Sequence, residues 1–155
     1  MFKVIVNDLQ SYFEYDPDRT ADLRALDALI QKAAPVLQCH FHAGTPAGSA
    51  GMRMKMIGYG KFCYAIKSGQ TSPWPVIGVA LQKNYISVYL SVTKDETPLV
   101  QFYAGKLGAL RMGGNNFSFV KFDQLDVVQA GLLFEEAAQT YQADPQNPVR
   151  YMQSD

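Results

Sequence analysis

Apolar residues recur along this chain first at helical spacing, then at every second position, then at helical spacing again. Leu9, Tyr12 and Phe13 fall on one side of a helical period, which predicts a short amphipathic helix within residues 7–15 with Glu14 facing water. A longer apolar stripe follows in Leu23, Leu26, Ile30, Ala33 and Leu37. Asp16 is placed to accept from the free N–H groups at the start of that helix, and Pro17 suits its first position. Asp18 and Asp22 lie near the positive end of the helix dipole, and Pro35 disturbs the far end.

Residues 44–51 are small residues and breakers, which predicts a loop. The period then changes to two. Met52, Met54 and Met56 alternate with Arg53, Lys55 and Ile57; Phe62, Tyr64 and Ile66 alternate with Lys61, Cys63 and Ala65. Gly58 and Gly60 between these runs predict a bend or bulge. After a polar turn, residues 76–81 form an apolar strand, Lys83 and Asn84 turn, and Ile86, Val88, Leu90 and Val92 oppose Tyr85, Ser87, Tyr89 and Ser91. Such alternation belongs to an antiparallel sheet with one face covered and one more open. Residues 98–107 return to a helical pattern, 111–116 read as a turn, and 117–122 as a strand. Asp123 is expected to cap a last helix, with Asp126 in capping-box position and Leu125, Val128, Leu132, Leu133 and Ala137 inside. The expected fold is α+β: a single domain over residues 1–141, with an antiparallel sheet of four to five strands and the N-terminal and C-terminal helices packed mainly on one face. Residues 142–155 read as a polar tail.

Composition narrows the classes of function. At 155 residues the chain fits one domain that removes roughly 70% of its surface from water on folding. Fourteen basic and fourteen acidic side chains give zero net charge, so the basic excess of a nucleic-acid binder is missing, and so is the basic amphipathic helix of a membrane-surface binder. No apolar run approaches the ~20 residues of a membrane helix, and the first residues are too soon interrupted by Asn7 and Asp8 for a signal peptide. The expectation is a soluble cytoplasmic protein whose two cysteines, Cys39 and Cys63, are reduced thiols.

The stretches "MIGYGKFCYAIKSGQTSPWPVIGVALQKNYISVYLSV" and "LGALRMGGNNFSFVKFDQLDVVQAGLLFEEA", preceded by two helices ending near "AAPVL", resemble the YdhG-like family of domains of unknown function. The resemblance spans roughly residues 7–141. It is carried by the Gly58-Tyr59-Gly60 turn, the Lys83 hairpin, the glycine turn before Phe117 and the helix start at Leu125-Asp126. It implies a compact single domain. Some relatives are proposed as frataxin-like iron chaperones, which makes iron binding an implied alternative function. Glu14, Asp16, Asp18 and Asp22 are the acidic residues such a role would call on. Their scatter along the first helices reads as capping and a solvated face.

The residues that could carry chemistry are few. Both histidines lie in Cys39-His40-Phe41-His42. On an extended chain His40 and His42 project to the same side and could chelate zinc or iron, whereas on a helix Cys39 and His42 would be neighbours. A structural zinc site wants a second pair of ligands, and Cys63 is the one soft ligand left. A nucleophilic Cys39 or Cys63 would need a positioned base and an oxyanion site, for which no motif is present. The methionine alternation reads as core or interface rather than a copper site. Residues 117–122 follow part of an RNA-recognition strand, but Asn115-Asn116 replaces its basic-glycine pair. The loop at 44–51 lacks the Lys-Ser/Thr of a phosphate loop. Tyr59, Tyr64, Trp74 and Tyr89, with Lys61 and Arg111 as anion anchors, form the expected ligand cleft, with the 44–51 loop beside it. The sequence therefore favours a non-catalytic binding module for a small ligand or a protein partner, with homodimerisation compatible. An iron chaperone and an enzyme using Cys39, Cys63 or the histidines are the alternatives.

Overall fold

Alternation in the middle of the chain decides the architecture, because it gives the strand at Ile86–Leu90 one apolar side, Ile86, Val88 and Leu90, and one polar side, Ser87 and Tyr89. A computed structural model describes residues 2–44, 54–65 and 71–145, without the side chains of Tyr64, Ala65 and Thr71. In chain order the elements are α1 (Leu9–Glu14), α2 (Thr20–Ala33), β1 (Cys39–His42), β2 (Met56–Tyr59), β3 (Phe62–Ala65), β4 (Thr71–Trp74), β5 (Ile77–Leu81), β6 (Ile86–Leu90), β7 (Thr93–Lys94) and β8 (Thr97–Pro98). A 3-10 turn at Leu99–Tyr103, β9 (Arg111–Met112), β10 (Asn116–Phe119), a second 3-10 turn at Phe122–Gln124 and α3 (Val127–Ala143) follow. The fold is α+β, and no described helix is long and apolar enough to cross a membrane. The predicted loop at 44–51 lies, past Gly44, outside the described residues, as does most of the 142–155 tail; α3 runs to Ala143.

Six strands pair antiparallel in the order β1-β2-β5-β6-β10-β9, where the sequence predicts four to five. The additional strands are the edges. Cys39–His42, expected at a helix end, pairs residue for residue with β2, and Arg111–Met112, expected as a turn, pairs with β10. Two residues are too short for alternation to show in a sequence, and Cys39–His42 owes its strand conformation to its pairing with β2.

The paired residues sort the sheet into two faces. Ile57, Tyr59, Ile77, Val79, Leu81, Ile86, Val88, Leu90, Phe117 and Phe119 are in register on one side and buried. Leu23, Leu26 and Ile30 of α2 and Ala130, Leu133, Phe134, Ala137 and Ala138 of α3 complete this core. Both long helices therefore cover the same face, although Val128 and Leu132, expected inside α3, lie on its outer side and are exposed.

Helix starts differ from expectation for local reasons. Asp16 does not cap α2. Its carboxylate takes the Arg19 guanidinium at 2.8 Å and the Asp18 N–H at 3.1 Å, while Arg19 also donates to the Tyr85 carbonyl at 3.0 Å. The turn before α2 is thus fastened to the β5–β6 turn, and the helix begins at Thr20. At α3 the cap is Asp126, not Asp123: Asp123 lies in the second 3-10 turn, the chain is extended at the buried Leu125, whose backbone bridges Gly108, and Asp126 then accepts from the Val128 and Gln129 N–H groups at 3.1 Å each.

Tyr12 fixes α1 to the sheet. Its buried hydroxyl donates to the Lys55 carbonyl and accepts from the Leu81 N–H, both at 3.0 Å. Tyr12→Phe leaves the Leu81 N–H without its acceptor in a buried setting. We expect a loss of about 1–3 kcal/mol, read as a lower urea midpoint at unchanged m-value.

Candidate functional site

Among the described residues no helix lies over the second face of the sheet, and its side chains run in two cross-strand rows. One row joins His40, Gly58, Gly78, Tyr89 and Asn116; the other joins His42 to Met56, and Ala80 to Ser87, Ser118 and Arg111. The first half of this face is covered by the chain itself. β2–β3 and β4–β5 form one hairpin that bends at Gly60, whose φ of +71° a glycine adopts freely, and at Pro75. Beyond the bend Trp74 meets His42 edge-on at 5.3 Å. The Pro75 ring lies so close over Gly58 and Gly78 that a Cβ on either would meet it at 3.0 and 3.1 Å.

The other half stays open and forms a shallow cleft of about 260 Å³ lined by Tyr85, Ser87, Tyr89, Arg111, Met112, Gly113, Asn116 and Ser118. Its floor is the Ser87–Ser118 hydroxyl pair, 2.8 Å apart and buried. Arg111, exposed on the edge strand β9, holds its guanidinium 5.1 Å from the Tyr85 ring centre. Gln101 pins the Gly113-Gly114 turn through both carbonyls at 2.7 Å, and the Asn116 amide fills the space where a Cβ on Gly113 would lie. Burial pushes the Tyr89 hydroxyl above its ordinary pKa, so it enters the cleft as a neutral phenol. The lining supplies one fixed positive charge, several hydrogen-bond donors and two aromatic rings. Among the described residues its lining holds no carboxylate, histidine or cysteine.

Of the residues the sequence proposes for a ligand cleft, the structure brings together Tyr89 and Arg111. Tyr59 lies on the helix-covered face, fully buried, and donates its hydroxyl to Asp27 Oδ1 at 2.5 Å. Trp74 is buried against His42, Lys61 is exposed near the hairpin bend, and the Tyr64 side chain lies outside the described residues. Sequence reading missed Tyr85, Ser87, Asn116 and Ser118. The available signal was the polar phase of the β6 alternation, Tyr85-Ser87-Tyr89, set against Asn116 and Ser118 at the same period.

Cys39-His40-Phe41-His42 is a strand, so the expected alternatives resolve. His40 and His42 share the helix-free face, with His40 Nε2 2.9 Å from the Gly60 carbonyl, while Cys39 points to the helices. There the thiol faces Asp27 Oδ1 at 3.9 Å, beside the Tyr59 hydroxyl and Gln31, whose amide donates to both Asp27 oxygens. Thiol and imidazoles on opposite faces do not form a Cys–His pair. Among the described residues no three His, Cys, Asp or Glu side chains stand together as a metal site. Neither a protein-family model, nor a curated protein, nor a solved structure matches the chain.

Two consequences are measurable. Burial, and then the Asp27 carboxylate, push the Cys39 thiol up to about 11, whereas Cys63 is exposed. In native protein iodoacetamide should modify Cys63 first and Cys39 about 100-fold more slowly than an ordinary thiol, as followed by peptide mass mapping. Burial chiefly, with His40 and Lys61 adding to it, pulls His42 from 6.5 down to about 4. The folded state thus holds His42 neutral while the unfolded chain binds a proton. Stability is full above pH 6.5 and falls as pH drops from there to about 4, by on the order of 3 kcal/mol. His42→Phe, which keeps the edge contact with Trp74, should flatten that part of the urea-midpoint profile.

Proposed function

We propose that this chain is a non-catalytic binding module whose helix-free sheet face takes a small ligand carrying an anionic group next to a flat ring. One observation carries the reading: the Arg111 guanidinium rests on Tyr85 with no carboxylate partner among the described residues, at the mouth of a cleft floored by paired serine hydroxyls. A guanidinium left with free N–H donors beside an aromatic surface suits a carboxylate or phosphate bonded in the plane of its fork, with the attached ring against Tyr85 or Tyr89. The neutral Tyr89 phenol and the Asn116 amide add directional bonds that an acid–base catalyst would not need. A cytoplasmic setting accompanies this reading, supported by the two free thiols.

Calorimetric titration with benzoate, phenyl phosphate and inorganic phosphate tests it. Binding of the aromatic anions is expected to exceed that of inorganic phosphate. Arg111→Gln, on an exposed position that the core does not use, should weaken it by about 1.5–3 kcal/mol, or ~10–100-fold. Equal binding by wild type and Arg111→Gln, or none of the three anions binding, would sink the proposal.

A further inference from the structure

The helices that cover the sheet leave an apolar groove on their outer side. It lies between α2 and α3, encloses about 410 Å³, and is walled by Leu29, Val127, Val128 and Leu132. Val127, Val128 and Leu132 keep 45%, 67% and 48% of their surface exposed. Scattered exposed apolar residues are ordinary, but a contiguous set lining a groove marks an interaction surface.

Gly131, in the same groove, is a second observation. A Cβ there would meet only Leu29 Cδ1, at an ordinary 3.7 Å, so packing within the protomer accommodates alanine. Glycine is nonetheless the poorer residue in a helix interior, and the close approach it permits is open to the outside.

Charge then selects the occupant. Lys32 stands on the α2 side of the groove and Glu135 on the α3 side, and among the described residues neither forms an ion pair. A two-fold axis running along the groove would set the α2 wall of each copy against the α3 wall of the other, and so Lys32 opposite Glu135, which makes the surface complementary to itself in charge as well as in apolarity. An unrelated partner would have to supply both features; a second copy carries them already. We propose that this groove is the interface of a homodimer in which α2 and α3 of two copies form a four-helix layer, seated over Gly131. The sheet clefts then face outward on opposite sides, and the proposal stands independently of what they bind.

Sedimentation velocity on the full chain tests it. Wild type should sediment as a dimer. Leu132→Glu, and the single reversals Lys32→Glu and Glu135→Lys, should each raise the dimer Kd by about tenfold or more, and the double reversal should restore it. Circular dichroism of each variant separates lost association from lost folding, and the two charge reversals lie on exposed positions. A wild-type monomer at millimolar concentration overturns the proposal. A dimer that the single reversals leave intact, or one that the double reversal does not restore, overturns it as well.

Discussion

A sheet with helices on one face can dry its other face only where the chain folds back over it. Everything distinctive in this molecule follows from that constraint. Both long helices are committed to the core beneath Ile57, Val79, Val88 and Phe117. The opposite face is left to a hairpin, bent at Gly60 and Pro75, that reaches only the half holding His40, His42, Gly58 and Gly78. Where it reaches, polar groups are buried and glycines make room for a proline ring. Where it stops, Tyr85, Tyr89, Asn116 and Arg111 line a cleft floored by the buried Ser87 and Ser118.

The same division accounts for the behaviour of the titratable groups. His42 and Cys39 sit on one four-residue strand yet belong to different environments, because adjacent side chains on a strand point to opposite faces. His42 lies beneath Trp74 and resists protonation; Cys39 lies beside an aspartate and resists ionisation. Neither is poised as a reactive group. The cleft, by contrast, holds its charge at the rim, where the guanidinium stays hydrated and available.

Much of the fold was legible because it rests on periodicity. The alternation of Ile86, Val88 and Leu90 with Ser87 and Tyr89 marked both the strand and its faces, and the α2 stripe marked its buried side; in α3 Leu133 and Ala137 are buried as expected, whereas Val128 and Leu132 point outward. The site was only half legible. Arg111 and Tyr89 were visible as an anion anchor and an open-face aromatic, but their meeting depends on β9, whose two residues carry no pattern. Tyr59 was misplaced because the glycines on either side of it give no phase, and its partner Asp27 is 32 residues away. Trp74 stands between two prolines, where neither period applies. Cys39–His42 stayed open between an extended chain and a helix because pairing with β2, rather than propensity, makes it a strand.

The hydrogen bond from the Phe122 N–H to Asp22 closes a span of 100 residues. It has a consequence for the order of assembly. During synthesis α2 is made long before the α3 side chains that share its core, so its apolar stripe must wait while the sheet forms. Local pairing of β2 with β5 and of β5 with β6 can proceed in that interval, since those partners are near in sequence. The helical layer can be complete only once α3 has been made, and until then the apolar side of α2 lacks part of its cover and is open to misassociation.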